Sequence, residues 1–276
     1  MNLKRYLPTK IGINNVDSML NDRITEFTGS VTKRKIEQTA RPKNFKSKIE
    51  VLIPCYNQGI FLEDAVNSLA NQTSAVRICL TIINDASNDD TSVYMERVKL
   101  KYSNSNMNIK LIDNEKNLLQ AGSLNKAINS SENELFVVLN SDDILTQDCL
   151  SLIIETYSHN EEIFLLGGSS LWFESGKELP FHRLKEIKKL NLSVFGPTDA
   201  LKFTNSNSIN MTHSSSSFFK SAWQLVGGYL PLEKRVCIHD DRDFQMRVCS
   251  LLPIGIYERY PMAYYRTDSS LGRGII

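Results

Sequence analysis

The residues Leu135-Phe136-Val137-Val138-Leu139-Asn140-Ser141-Asp142-Asp143 run from apolar side chains straight into two carboxylates. A buried strand that stops at paired acids carries negative charge to a sheet edge, and the carboxyl edge of parallel strands is where open α/β sheets bind ligands. Adjacent carboxylates there suit a hard divalent cation, Mn²⁺ or Mg²⁺, whose other ligands are phosphate oxygens and water. The same residues would also serve as a solvated loop capping the next helix. A further acid, Asp85, follows the apolar run Val76–Ile83 and could accept from the imide N–H of a base on which Tyr56 stacks. Their structural alternatives are a turn acid and an aromatic at the core edge. Neither common glycine-rich phosphate loop is present, so a nucleotide would be held by acids and a cation.

Four strand-then-helix units would position these groups. Ile49–Ile53, stopped by Pro54, precedes a helix over Ile60–Ala70 in which Phe61, Leu62, Ala65, Val66 and Leu69 share a face. Val76–Ile83 leads through Ser87-Asn88-Asp89-Asp90 into a helix near Thr91–Tyr102. Ile109–Ile112 precedes Asn117 and a helix around Gly122–Ile128, and Glu134–Leu139 precedes one over Leu145–Tyr157. Repeated βα units predict right-handed crossovers and a mostly parallel sheet, with Tyr56, Asp85, Asn117 and Asp142 converging on one cleft. Beyond residue 160 the alternation weakens, leaving strands at Ile163–Phe173, Ser214–Phe219 and Gly255–Arg266.

A chain of 276 residues, 41% hydrophobic, can bury a large core. The net charge of +1 conceals a basic head, since residues 1–48 carry 11 Lys/Arg against 4 Asp/Glu. Residues 1–46 read as a basic polar extension, either a solvated tail or a contact with an anionic membrane surface. Residues 47–276 read as the working domain. Five scattered cysteines without a C-x-x-C pair predict no disulfide frame and no zinc site. With no signal-like N-terminus and no spanning run, the expected location is cytoplasmic, at most peripheral to a membrane, and nucleic acid is not an expected partner.

The motifs Pro54-Cys55-Tyr56-Asn57, Ile83 to Thr91, Asn117 to Asn125, Asn140-Ser141-Asp142-Asp143 and the acid pair before Arg247 occur in an order that resembles family 2 glycosyltransferases of the GT-A fold, across about residues 49–268. The resemblance implies an α/β GT-A-like single domain, with a nucleotide-binding half at 47–145 and a smaller mixed acceptor-binding half at 146–276. It implies nucleotide contacts from Pro54, Tyr56, Asn57, Asp85, Asn117, Gln120, Asn140, Ser141 and Asp142. Metal ligation would fall to Asp142, helped by Asp143 and by Asp268. Counting back from Arg247, the family's acid pair falls on Asp240-Asp241, which makes Asp241 the general base; its alternative is a helix cap.

The implied reaction moves a sugar from a nucleotide-sugar, expected to be a UDP-sugar, to a hydroxyl of a glycan or lipid-linked glycan with inversion. The sequence departs from the family at Asn140, where the family has the first Asp of D-x-D, at Leu119, where it usually has Gly, and at Asp268, where it often has His. His213, His239 and Trp223 lie near these segments; histidines more often serve structure, and Trp223 reads as core or as an acceptor-sugar platform. Two competing readings are a non-catalytic nucleotide- or carbohydrate-binding module, motivated by Asn140, and a sugar-phosphate nucleotidylyltransferase. The second is disfavoured by the absence of any basic residue in Pro54–Gly59.

Overall fold

The computed structural model describes residues 13–45, 48–180, 190–203 and 211–269. Its strands are β1 (Lys48–Cys55), β2 (Arg77–Asn84), β3 (Met107–Asp113), β4 (Leu135–Val138), β5 (Ile144–Leu145), β6 (Leu165–Phe173), β7 (Leu192–Phe195), β8 (Ser217–Phe219) and β9 (Ile254–Arg266). Its α-helices are α1 (Ile13–Ser30), α2 (Lys33–Gln38), α3 (Leu62–Ala70), α4 (Thr91–Lys101), α5 (Leu119–Asn129), α6 (Cys149–His159), α7 (Lys220–Leu225) and α8 (Asp240–Cys249). One mixed sheet runs β3-β2-β1-β4-β8-β6-β9-β5, with β7 also on β9.

The first four strands are parallel, as the βα repeats predict, and their register aligns the ends. Cys55 pairs with Asn84 and Asn84 with Asp113, so the loops after β1, β2 and β3 leave one edge together. β8 then runs antiparallel to both β4 and β6, while β6 and β9 are parallel to each other. The inner strands carry nearly unbroken apolar runs because helices cover both faces. Val51 and Ile53 pack with α3, α4 and α6; Leu52, Phe136 and Val138 pack with α5, α7 and α8.

Two expectations change. β1 continues through Pro54 to Cys55, because Cys55 O accepts from Asp85 N on the β2 side. By alternation the missing Pro54 donor faces β4, where pairing has already ended at Leu52. The basic head is also no free appendage. Ile24 of α1 is buried in the α8-side core, where Leu20, Phe27, Val31 and Ile36 pack. Arg41 donates to Tyr157 O and Asn160 O at 2.6 Å and lies over the rings of Phe45, Tyr157 and Phe219. Residues 1–12, which hold the rest of the proposed membrane contact, lie outside the described residues. No described helix is long and apolar enough to cross a membrane, and none of the five cysteines is in a disulfide.

Candidate active site

One cleft opens at the carboxyl edge of the parallel strands, lined by Pro54, Cys55, Tyr56, Gln58, Asp85, Gln120, Asn140, Ser141, Asp142 and Tyr265. Its base is the loop pair after β1 and β2. Asn57 N donates to Ser87 Oγ and Asn57 Oδ1 accepts from Asn88 N, both at 2.9 Å, so this asparagine joins the two loops and does not itself line the cleft. Asp85 is buried, and its Oδ1 accepts from Asn114 Nδ2, Leu118 N and Ser123 Oγ at 2.8–2.9 Å. Three donors on one oxygen fix the carboxylate and leave Oδ2 as the acceptor for a ligand.

Two residues before α5, exposed Asn117 accepts from Leu119 N through Oδ1 and stands outside the cleft, while Gln120 of α5 reaches into it. Leu119 holds φ +60, so the left-handed turn that glycine would supply without strain is kept by a leucine with an exposed side chain. Asn57, Ala86 and Ser215 also have positive φ. Asn57, Ala86 and Ser215 lie in loops and Leu119 at the start of α5, around the site, where strained backbone tends to gather.

The acid loop after β4 divides its labour. Asp142 Oδ2 accepts from Gln58 Nε2 at 3.0 Å, and Gln58 Oε1 accepts from Ser141 Oγ at 2.7 Å. No described donor engages Asp142 Oδ1. Asp143 is turned inward: Oδ1 accepts from Arg266 N at 3.0 Å, and Oδ2 accepts from Ser214 Oγ at 2.5 Å and Asn140 Nδ2 at 3.3 Å. Burial, reinforced by the Asp142 charge, pushes the Asp143 carboxyl up to about 7. Asp143 thus braces the loop with both oxygens occupied.

Asn140 joins these groups, because its Oδ1 accepts from Gln120 Nε2 at 2.7 Å while its Nδ2 donates to Asp143. An aspartate there would lack the donor and would add a third carboxylate beside two others. Gln120 also meets His213 Nδ1 at 3.2 Å, and His213 Nε2 meets Tyr229 OH at 3.1 Å. His213 is therefore a buried relay of hydrogen bonds, whereas His239 precedes α8 and is exposed.

Among the described residues no three His, Cys, Asp or Glu side chains converge on a cation position. Exposed Asp268 accepts from Ser175 N through both oxygens at 3.1 Å and does not line the cleft. Asp142, whose Oδ1 no described donor engages, is the cleft carboxylate that would meet a hard cation arriving with phosphates and water. Burial pushes the Cys55 thiol up to about 11, away from the reactive thiolate form.

Asp240 and Asp241 sit half-buried in the first turn of α8 and are not among the residues that line the cleft. His239 is the N-cap residue of α8, so Asp241 is not the helix cap that sequence alone leaves open; Asp240 Oδ1 accepts from Asp241 N at 3.0 Å within the first turn. No described donor is bonded to the Asp241 carboxylate. Asp243, in the same turn, is buried against Arg247. Trp223 is core, 7% exposed, with Nε1 donating to Asn125 Oδ1 at 3.1 Å.

Sequence reasoning passed over Gln58, Ser214, Tyr229 and Arg266. Only Gln58 had a local signal, lying next to the Pro54–Asn57 motif; the others reach the acid loop from distant segments. Arg266 Nε donates to Asp142 O at 2.8 Å and Nη2 to Asp64 Oδ2 at 2.7 Å, with its guanidinium 4.6 Å from the rings of both Phe61 and Phe173.

A curled mixed sheet flanked by helices, with an acidic cleft at its parallel edge, is the architecture of GT-A glycosyltransferases. TarS of S. aureus in complex with UDP-GlcNAc superposes with TM-score 0.60 at 18% identity, covering 81% of this chain and 59% of that one. The mannosyltransferase PcManGT of Pyrobaculum calidifontis, in complex with GDP-Man and Mn²⁺, gives TM-score 0.58 at 12% identity over 94% of this chain and 70% of its own. The model of glycosyl transferase family 2 matches residues 50–226, and the chain belongs to that family. A poly-beta-1,6-N-acetyl-D-glucosamine synthase of Staphylococcus aureus is 29% identical over 122 residues, 44% of this chain and 28% of its own length. An uncharacterized glycosyltransferase of Haemophilus influenzae is 27% identical over 119 residues, 43% of this chain and 35% of its own. The chain thus aligns with about a third or less of each curated relative.

Proposed function

We propose that this glycosyltransferase inverts the anomeric centre of a nucleotide-sugar, a UDP-sugar in the first instance, as it passes the sugar to a hydroxyl of a glycan or lipid-linked glycan. The observation that carries the reading is a fixed Asp85 and an Asp142 with one oxygen unengaged by any described donor on the same cleft, together with an Asp241 carboxylate at the start of α8 to which no described donor is bonded. Asp85 Oδ2 accepts from the imide N–H of the base while Tyr56 covers its face. Gln120, Asn140 and Ser141 bound the ribose and diphosphate. Asp142 would hold Mn²⁺ or Mg²⁺, which when bound supplies positive charge to the departing diphosphate. Asp241 accepts the acceptor hydroxyl's proton as the new glycosidic oxygen–carbon bond forms and the bond from the anomeric carbon to the diphosphate oxygen breaks. Asp240 accepts from Asp241 N, and no described donor engages the Asp241 carboxylate itself.

A uracil N3–H and a guanine N1–H offer Asp85 the same donor, and TarS is in complex with UDP-GlcNAc while PcManGT is in complex with GDP-Man. Competition between UDP and GDP therefore belongs in the test. Cysteines outside any disulfide fit a reducing, cytoplasmic setting, and any membrane contact would be peripheral. The reading is tested by Asp241→Asn, expected to keep donor binding and lose transfer, beside Asp142→Ala, expected to lose Mn²⁺-dependent nucleotide binding. Full transfer by the first together with unchanged binding by the second would overturn it. Neutral Asn140 favours the second reading, a binding module without turnover, which predicts tight UDP binding without Mn²⁺ and no UDP release with any acceptor.

A further inference from the structure

Trp172 of β6 is 72% exposed, yet it stands within the sheet that forms the cleft. An irregularity at Gly168–Ser170 shifts the β6–β9 register, and beyond it Trp172 pairs with Tyr265 and Phe173 with Arg266. Directly paired residues of neighbouring strands point to the same face, and successive residues to opposite faces. Phe173 and Arg266 turn inward and pack together, while Trp172 and Tyr265 turn out side by side. Tyr265 also lines the cleft with Asp142, so an aromatic surface leaves the cleft and continues onto Trp172.

We propose that Trp172 and Tyr265 form the platform on which an acceptor sugar ring rests, an inference that depends on the glycosyltransferase reading above. Sheet order gives the direction. Tyr56 and Asp85 follow β1 and β2, Asp142 follows β4, and the aromatic pair lies past β8 on β6 and β9. A donor with its base at the first position and its diphosphate at the second sends its sugar toward the third. A pyranose presents an apolar C–H face that matches an exposed aromatic ring and leaves its hydroxyls to water and polar neighbours. The platform is also prebuilt, which lowers the ordering cost of binding. Thr267 N donates to Phe173 O at 2.9 Å, Arg266 Nη1 to Ser175 Oγ at 2.6 Å, and Ser175 N to Asp268. Exposed Glu174, Lys177 and Asp268 flank the pair, which narrows it to one or two rings and suits a sugar better than a protein face.

The chain has two tryptophans, and Trp223 is buried, so emission that acrylamide quenches reports Trp172. Chitotetraose, cellotetraose and mannotetraose are each titrated into the full chain with and without UDP and Mn²⁺. At least one should shield Trp172 from acrylamide. By calorimetry Trp172→Ala should bind that tetraose about tenfold more weakly or worse, with UDP binding unchanged and Trp172→Phe restoring most of the loss. No shielding by any tetraose, equal tetraose affinity in Trp172→Ala, or shielding only by phosphatidylglycerol vesicles would each overturn the platform. If wild-type chain binds neither UDP nor GDP, the donor reading fails, and tetraose shielding still decides the platform separately.

Discussion

Arg247 reaches back one helical turn to Asp243, Nη2 to Oδ2 at 2.7 Å, and neither side chain is exposed to solvent. The pair does more than neutralise itself. Arg247 Nη1 and Nη2 donate to Val226 O and Gly228 O, and Asp243 Oδ1 accepts from Val236 N. Together they hold the Gly227-Gly228 turn and the approach to Asp240-Asp241 against α8. Breaking a buried pair leaves an uncompensated charge, so Arg247→Met should cost about 3–5 kcal/mol in urea unfolding. Arg247→Met with Asp243→Asn should recover part of that loss.

The spacing from Arg247 to the acid pair was readable in the sequence, and so were the four βα units, because apolar runs ending in Asn or Asp are local signals. What remained hidden was partnership. Asn140 looked like a weakened metal ligand, yet its amide serves both Gln120 and Asp143, a role that needs an uncharged group with a donor and an acceptor. Arg266 is 123 residues along the chain from Asp143, and periodicity carries no information across such distances. Trp223 is core, one of the two roles its sequence context allows, whereas the exposure of Trp172 depends on sheet register and on the β6–β9 irregularity, which no local pattern reveals.

Leu119 offers a direct test of stored strain. A non-glycine residue in the left-handed region costs about 1–2 kcal/mol, and its exposed side chain gives little back. Glycine removes that cost but adds unfolded-state entropy worth about 0.5–1 kcal/mol. Leu119→Gly should therefore gain about 0.5 kcal/mol in thermal or urea unfolding, and Leu119→Val should lose stability because β-branching worsens the clash.

Asp143 predicts a pH dependence of the metal-free protein. Its carboxyl is raised from the ordinary range near 4 to about 7 by burial first and the Asp142 charge second. The folded state therefore holds a proton that the unfolded chain gives up. The contribution is fully present below about pH 4 and is lost as pH rises through about 7, at a slope of at most about 1.4 kcal/mol per unit. Denaturant melts in EDTA across pH 4–8 should show this fall in wild type and a flatter profile in Asp143→Asn. Comparing slopes removes any constant offset from altered hydrogen bonds.

Gln58 holds one oxygen of Asp142 and receives Ser141, so it orients the proposed cation ligand without meeting the cation itself. Groups that orient a ligand typically change metal affinity by about 10- to 100-fold when removed. Gln58→Ala should raise the Mn²⁺ concentration needed for UDP binding about tenfold or more, measured by Mn²⁺ paramagnetic resonance or calorimetry. Binding at saturating Mn²⁺ should approach wild type, because Asp85 and Tyr56 are untouched.

The basic head gives the last prediction, one in which sequence and structure lead to opposite experiments. Read as an appendage, residues 1–46 could be removed without effect on the body. In the fold their removal would uncover the α8-side core where Ile24, Phe27 and Ile36 pack, and would take Arg41 and Phe45 away from Tyr157 and Phe219. Phe27 also lies under Arg247, with the guanidinium carbon 5.6 Å from its ring centre. Fully burying one such apolar side chain contributes about 1.5–3 kcal/mol, so losing several should exceed the margin of a typical domain. A chain starting at Ser47 should be insoluble or melt far below the full chain. Arg41→Ala alone should lower unfolding stability by about 2 kcal/mol, since it loses hydrogen bonds to two carbonyls and the contacts with three rings.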